Sequence, residues 1–201
     1  MTANNNSAAD VIRRAEEHLQ TARFGLEDMR SRPERFQSGL HNAVVFGRAV
    51  TFALQNMRSV VPDFDEWYEP VKVAMKSDPL IKYLSDLRTE IEKTVGRYTT
   101  LSGTIKSFNS ATDMRHFEPR PPRATSFFIG DQNGGSGWKV ANSDGSEDTY
   151  YVTLPPEIGE ITIHLSKAPG ALSEVPAQDL VAEYLGRLGK IVADAKRHFL
   201  C

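Results

Sequence analysis

Apolar residues recur every three or four positions through the first half of the chain, which is the spacing of amphipathic α-helices. One apolar stripe runs over residues 11–29 and a second over residues 36–57. The second stripe is the wider and more hydrophobic, so we expect its helix to be the central one. Its core-facing residues are expected to be buried together with two residues of a later helix: Leu40, Val44, Val50, Leu54, Leu84 and Leu87.

Prolines and acidic residues predict where the helices begin and end. Pro33 is suited to open the second helix, and Pro62 interrupts it. Asp63 or Asp65 can cap a third, shorter helix, and the stretch Ser77–Pro79 can cap a fourth over LIKYLSDLRTEIEK. After Gly96 the helical period weakens, and residues 98–108 fit either a further helix or a first strand.

Strict alternation replaces the helical period in the second half. The segments 125–129, 137–141, 149–154 and 160–165 read as strands, and turn residues join them closely enough to require antiparallel pairing. In the last segment Ile161, Ile163 and Leu165 alternate with polar residues, which indicates a sheet with one buried face. A final apolar stripe over residues 178–199 predicts a closing helix.

These patterns predict an α+β fold. An N-terminal antiparallel helical bundle is expected over residues 10–114, after a disordered tail at 1–9. A stiff, extended Pro- and Arg-rich connector at 115–123 then leads to a small antiparallel β-meander over 124–166. A closing C-terminal helix at 176–200 is expected to pack on the bundle or on the sheet.

Composition narrows the function classes. The 201 residues are 40% hydrophobic and 25% charged, as in a soluble globular protein. A net charge of −2 gives no general attraction to nucleic acid or to an anionic membrane. Cys201 is the single cysteine, so an intramolecular disulfide and a cysteine metal cluster are excluded. With no secretory signal and no long apolar run, we expect a cytoplasmic protein that does not associate with membranes.

The segments HNAVVFGRAVTFALQNM, FDEWYEP and DPLIKYLSDLRTEIEK, in this order, resemble a divergent branch of the HEPN superfamily of helical bundles over roughly residues 10–100. The resemblance implies a last helix with Arg, four to six residues and then His, and two subunits that bring these helices together. There the histidine acts as general acid or base and the arginine stabilises phosphate charge. Arg88 matches the arginine, but Lys93, Thr94 and Val95 supply no histidine. The RNase activity therefore does not carry over, while a homodimer is expected.

Other motif-like stretches have simpler interpretations. Arg13 with His18 and Arg35 with His41 show the Arg–His spacing at about the frequency expected by chance. The glycine-rich stretch at 130–137 is followed by a strand, so it lacks the helix that a phosphate loop requires. The stretch 142–148 would put a valine where a calcium loop needs a carboxylate, and His164 has no metal-ligand neighbour at ligand spacing. We expect no cofactor and no metal.

Two functions remain. We favour a non-catalytic binding or assembly protein, a HEPN-like module for dimerisation or for binding a protein partner. The alternative is an RNA-directed, RNase or toxin-like protein with an atypical polar site at Arg88, Glu90 and Lys93. In the favoured interpretation Arg88 is partly buried and bonded to a carboxylate from another helix or another subunit. The basic residues at 115–123 are expected to be a solvated linker, with RNA contact there left open.

Overall fold

A computed structural model describes residues 7–93 and 96–200 and places them in an α+β fold, as predicted. The helices of the described residues are α1 (Ala8–Ser31), α2 (Phe36–Gln55), α3 (Phe64–Ser77), α4 (Pro79–Lys93) and α5 (Ala177–Leu200). The strands are β1 (Thr99–Ile105), β2 (Ala124–Phe128), β3 (Ser136–Ala141), β4 (Glu147–Val152) and β5 (Gly159–Leu165).

The main core lies between the helices. The contact between α1 and α2 is the most extensive, and α5 packs across both of them. The prediction that residues 40, 44, 50, 54, 84 and 87 are buried together is confirmed, because all six lie in this core with at most 3% of their surface exposed. The closing helix therefore packs on the bundle, which the sequence pattern had left open.

Capping residues explain the beginnings of two helices. The Ser7 hydroxyl accepts a hydrogen bond from the Asp10 N–H, and the Asp10 carboxylate accepts one from the Ser7 N–H, so α1 begins at Ala8. Ser7 is thus the helix cap and Ala8 and Ala9 are helical, so the expectation of a disordered tail is wrong for these three residues. The rest of that expectation, residues 1–6, lies outside the described residues.

The fourth helix is capped as predicted and the third is not. The Asp78 Oδ1 atom accepts hydrogen bonds from the N–H groups of Leu80 and Ile81 at 2.9 and 3.1 Å. Asp63 occupies the cap position of α3 but makes no side-chain capping bond, and Asp65 lies inside the first turn. Asp63 has φ −91° and ψ 13°, away from the extended backbone that turns a capping side chain toward the helix.

The strands form two antiparallel sheets among the described residues. A meander contains β2, β3 and β4, while β5 pairs with β1 in a separate two-stranded sheet. Residues 98–108, which fitted either a helix or a strand, thus contain a strand, β1. The last strand predicted for the meander, β5, pairs with β1 instead of β4. Ile163 and Leu165 of β5 are buried in the main helical core, which holds this strand against the bundle and next to the chain leaving α4.

The connector before the meander is only partly extended. Asp113–Phe117 forms a 3-10 turn, so the expectation of a solvated, extended linker is wrong for its first residues. Phe117 is 1% exposed and packs with Ala124, Trp138 and Ile158 in a second, smaller core. The Trp138 indole N–H donates to the Phe117 carbonyl at 3.1 Å. Burial of Phe117 fixes this end of the connector on the meander.

Aromatic residues pack α3 against the C-terminal end of α5. The Trp67 indole N–H donates to Asp194 Oδ2 at 3.1 Å, and its ring meets Phe199 edge-on with centroids 5.3 Å apart. Trp67 is therefore a packing residue, the fate expected for most aromatic residues on a helix. Within the described residues, none of the helices has the length and apolar character that crossing a bilayer requires.

Candidate functional site

Arg88, the residue that matches the HEPN arginine, lies at the border of the buried stripe of α4. Its side chain is 30% exposed, and Nη1 forms an ion pair with Glu92 Oε2 at 2.7 Å. Its Nε atom is buried without a hydrogen-bond acceptor among the described residues. Arg88 was predicted to bond a carboxylate from another helix, and this is wrong for the Arg88–Glu92 ion pair. Glu92 lies four residues further along α4, so it reaches Arg88 within the same helix.

Glu90 and Lys93 do not join Arg88 in one site. The Glu90 carboxylate accepts a hydrogen bond from Lys167 Nζ at 2.9 Å, and this bond raises the pKa of Lys167. The Tyr98 hydroxyl donates to the Glu90 carbonyl at 3.2 Å. Glu90 thus connects the end of α4 to the residues just before β1 and just after β5, at one end of the two-stranded sheet. Lys93 is exposed at the last turn of α4. Thr94 and Val95, at the other positions where a histidine was sought, lie outside the described residues.

The two chance Arg–His spacings form no cluster. Arg13 is ion-paired with Asp10 and Glu17 on the exposed face of α1. Arg35 forms an ion pair with Asp28 at 3.1 Å. Neither arginine is therefore held for a substrate together with its histidine.

A groove between α2, α3 and α4 is lined by a cluster of positively charged side chains. We call it the basic groove, and it encloses about 690 Å³. One carboxylate, Asp86, lines it, against five cations among the described lining residues: Arg48, Arg58, Lys72, Lys76 and Lys82. This local excess of positive charge is hidden in the chain total, which is slightly negative.

The five cations differ in how far their charge is already compensated. Arg58 Nε donates to Asp65 at 2.7 Å, and Lys72 Nζ donates to Glu69 at 2.7 Å. The other three, Arg48, Lys76 and Lys82, pair with no carboxylate in the described part of the chain. The groove therefore keeps uncompensated positive charge that an anionic ligand would stabilise.

Aromatic rings lie beside these cations. Tyr68 lines the groove and is 3% exposed, and burial raises its pKa while Arg48, Arg58 and Lys72 act in the opposite direction. The Arg48 guanidinium lies over the ring of Phe52, 4.4 Å from its centre. Phe52 is 48% exposed, so one of the large apolar side chains left in solvent sits next to a groove cation.

The basic groove was not predictable from the sequence. Its cations come from three helices and one connecting turn, and Arg48 lies on the helix that was interpreted only through its apolar stripe. The available signal was the spacing of Lys72 and Lys76, which puts both on one face of α3. That signal alone does not bring α2 or α4 to the same place.

A serine and a histidine meet on the two-stranded sheet. Ser102 Oγ and His164 Nε2 are 2.9 Å apart, and His164 lies on the polar face, as its alternation with Ile163 and Leu165 predicted. His164 Nδ1 is buried with no partner in the described part of the chain. A nucleophilic serine needs a base that a third group orients, and this histidine has no such carboxylate. Within the described residues, the Ser102–His164 contact joins β1 to β5.

The turns singled out by their glycines are hairpins held by their own aspartates. Asp131 Oδ1 accepts hydrogen bonds from the N–H groups of Asn133 and Gly135, and its Oδ2 accepts one from the Tyr151 hydroxyl at 2.5 Å. Gly134 has φ +76° and packs against Ile163, where a side chain would collide. The glycine-rich stretch is thus the loop of the β2–β3 hairpin, and a strand follows it as predicted. No group of three or more metal-ligating side chains was found in residues 7–93 and 96–200.

Most of β1 and the chain that follows it form the longest run of exposed positions among the described residues. Residues 100–112 are all exposed, including Leu101, Ile105 and Phe108. The Tyr98 carbonyl and the Lys106 N–H point toward the β5 side, so by alternation the N–H and C=O groups of residues 101, 103 and 105 point away from it. Within the described residues no strand pairs with these groups. We call this row the open edge of β1.

Comparison with protein families identifies a related family. The family model described as bacteriophage lambda protein ea47 matches residues 6–112. This segment holds α1 to α4 and β1, and so both the basic groove and the open edge of β1. No curated protein and no solved structure matches the chain.

Proposed function

We propose that this chain, which belongs to the family of bacteriophage lambda protein ea47, is a non-catalytic assembly protein. In this proposal a HEPN-like helical bundle presents the open edge of β1 to a second copy of the chain. The observation that carries the proposal is the composition and exposure of this edge. Thr99–Ile105 contains no charged residue and no proline, the devices with which proteins protect an exposed edge from pairing.

The edge is complementary to itself. An antiparallel pair with its two-fold axis at Gly103 places Leu101 of one copy opposite Ile105 of the other. Residues 101, 103 and 105 would then exchange their outward N–H and C=O groups, giving about six interchain hydrogen bonds. The result is a four-stranded sheet across the two-fold axis, with a β5 strand at each end.

Apolar side chains support the same pairing. Leu101 and Ile105 lie on the face of the sheet that carries Ile161 and Ile163, so the apolar row of β5 continues outward across β1. Leu101 is 44% and Ile105 50% exposed in the single chain. Pairing two copies joins these rows and removes apolar surface from water, which adds to the backbone bonds.

The test is the mass of the protein in solution, measured by sedimentation equilibrium over a wide range of concentration. The wild type is expected to approach twice the chain mass, and Leu101→Lys is expected to stay at the single-chain mass because its charge would lie in the joined apolar row. Phe24→Lys is the matched control, since Phe24 is an exposed apolar residue on α1 and its substitution leaves β1 unchanged. A wild type that stays monomeric, or a Leu101→Lys variant that dimerises like the control, would contradict the proposal.

The RNA-directed alternative makes a different prediction. It needs Arg88, Glu90 and Lys93 to act on one phosphate, yet Arg88 is paired with Glu92 and Glu90 with Lys167. A lysine ammonium is also a poor base at neutral pH. An RNA-cleavage assay on the wild type and on Arg88→Ala separates the two functions, and cleavage that disappears with Arg88 would favour the alternative.

A further inference from the structure

We propose that the basic groove binds single-stranded nucleic acid, with its cations on the phosphates and Phe52 stacked on a base. DNA and RNA share this chemistry, and the experiment below separates them. The site is independent of the dimerising edge, because the groove is formed by α2, α3 and α4 and the edge by β1.

The first argument is charge complementarity. Arg48, Lys76 and Lys82 have no carboxylate partner among the described residues and line one groove. Lys76 and Lys82 are exposed, so their flexible side chains can place an ammonium group on each of two successive phosphates of a strand. Nothing within the described lining except Asp86 opposes an anion there.

The second argument is the aromatic platform. The Arg48 guanidinium covers one face of the Phe52 ring at 4.4 Å, and with 48% of Phe52 exposed the ring still presents surface to solvent. A nucleobase can stack on such a ring while the adjacent arginine contacts its phosphate, the combination that single-strand binding proteins use. Every nucleotide carries a flat base beside its phosphate, whereas the carboxylates of an acidic peptide need no exposed ring to bind, so the platform favours nucleic acid over an acidic protein.

The third argument is shape. The groove volume of about 690 Å³ is in the range that encloses a ligand the size of one or two nucleotides. It is partly open to solvent, so a strand can enter it. A duplex would present stacked bases whose faces Phe52 cannot reach.

The experiment is fluorescence anisotropy of end-labelled oligo-dT and oligo-U with the full chain. Binding should weaken with salt, and Lys76→Ala/Lys82→Ala should reduce the slope of log affinity against log salt by about 0.7 for each lysine. The matched control is Lys190→Ala/Lys196→Ala on α5, which removes equal charge from a face where Lys196 already pairs with Glu16. Its affinity and slope should stay at the wild-type values.

A second pair of variants tests the stacking. Phe52→Ala should lower affinity about fivefold or more at constant charge, since stacking on an aromatic ring contributes at least about that factor per base. Phe24→Ala, an exposed phenylalanine on α1, should leave affinity unchanged. The oligonucleotide that binds more tightly identifies the sugar that the groove prefers.

Three results would overturn the proposal. The first is no binding of either oligonucleotide at low salt, and the second is equal losses from the α5 control and the groove variant. The third is displacement of the strand by polyglutamate at matched charge with no effect of Phe52→Ala, which would assign the groove to an acidic protein partner. All four variants change exposed side chains, and their helical circular dichroism should match the wild type.

Discussion

The contact between α1 and α2 depends on two glycines that let the helix backbones approach each other. A Cβ atom added to Gly25 would lie 2.5 Å from the Gly39 carbonyl oxygen and 2.6 Å from the Ala43 backbone nitrogen. Both atoms belong to the backbone, so no rotamer change can move them away. The substitution Gly25→Ala therefore requires the two helices to separate.

The size of the effect follows from two opposing contributions. Alanine favours the helical backbone over glycine by about 1 kcal/mol. Overpacking a close contact costs about 1–3 kcal/mol and more where the neighbours are rigid. Since ordinary contact begins near 3.4 Å, the Gly39 carbonyl must retreat by about 0.9 Å, which loosens the most extensive helix contact of the fold. We expect Gly25→Ala to lower the free energy of unfolding by about 2 kcal/mol.

Gly186→Ala is the matched control. Gly186 lies on α5 with no atom within 4 Å of an added Cβ, so only the gain in helix preference remains, about 1 kcal/mol of stabilisation. Urea unfolding followed by circular dichroism measures both variants against the wild type. If Gly25→Ala were as stable as Gly186→Ala, the close approach of α1 and α2 would be refuted.

Further predictions concern stability and its dependence on pH. Leu54→Ala should lower the free energy of unfolding by about 2–5 kcal/mol in urea titration, because Leu54 is fully buried. Burial raises the pKa of Tyr83 from 10.0 to about 12, so its contribution to stability is present below pH 10 and is lost as the pH rises to about 12. Tyr83→Phe should remove this alkaline loss, measured by unfolding at several pH values; an unchanged loss would contradict the assignment. The hydrogen bond from the Ser7 hydroxyl lowers the pKa of Asp10. The ionised Asp10 carboxylate therefore stabilises α1 above the ordinary carboxyl pKa, and this stabilisation is lost as the pH falls through the lowered pKa. Ser7→Ala should make helicity less sensitive to acid, measured by circular dichroism, and an unaltered acid profile would argue against the capping box.

Helices and strands with one buried face were predictable because their apolar spacing is a local property of the chain. The stripes of α1, α2 and α5 and the alternation in β5 gave element type and core residues correctly. Even the cap at Asp78 could be predicted from sequence, since a capping bond joins neighbours. Most helices and strands could therefore be predicted from local sequence patterns.

Pairing between distant segments was not predictable in the same way. Short turns suggested that β5 follows β4 in one meander, but its buried residues Ile163 and Leu165 belong to the helical core and bring it to β1. The Arg88 partner was sought on another helix, although Glu92 is within reach one turn away. For β5, tertiary packing selected one of several partners that satisfied the sequence pattern, whereas for Arg88 a carboxylate on the same helix was within reach.

The candidate sites depended still more on tertiary structure. The basic groove combines residues from α2, α3 and α4 that no single periodicity connects. The open edge of β1 could be recognised only once β5 was known to occupy the other edge. The HEPN resemblance directed attention to Arg88, Glu90 and Lys93, and the structure brings no two of these side chains into a shared site within its described residues.

Disulfide trapping tests the proposed assembly most directly, because it reports the register as well as the dimer. In a Cys201→Ser background, a two-fold axis at Gly103 places Ser102 opposite Thr104 of the second copy in a non-hydrogen-bonded pair, with Cα atoms about 4.5 Å apart. Ser102→Cys/Thr104→Cys should therefore form a covalent dimer under mild oxidation, detected on a non-reducing gel. The control is Thr100→Cys/Ser102→Cys, which should remain largely monomeric because its cysteines face no cysteine in this register. Equal cross-linking of the two variants, or none in the first, would contradict pairing through the open edge of β1.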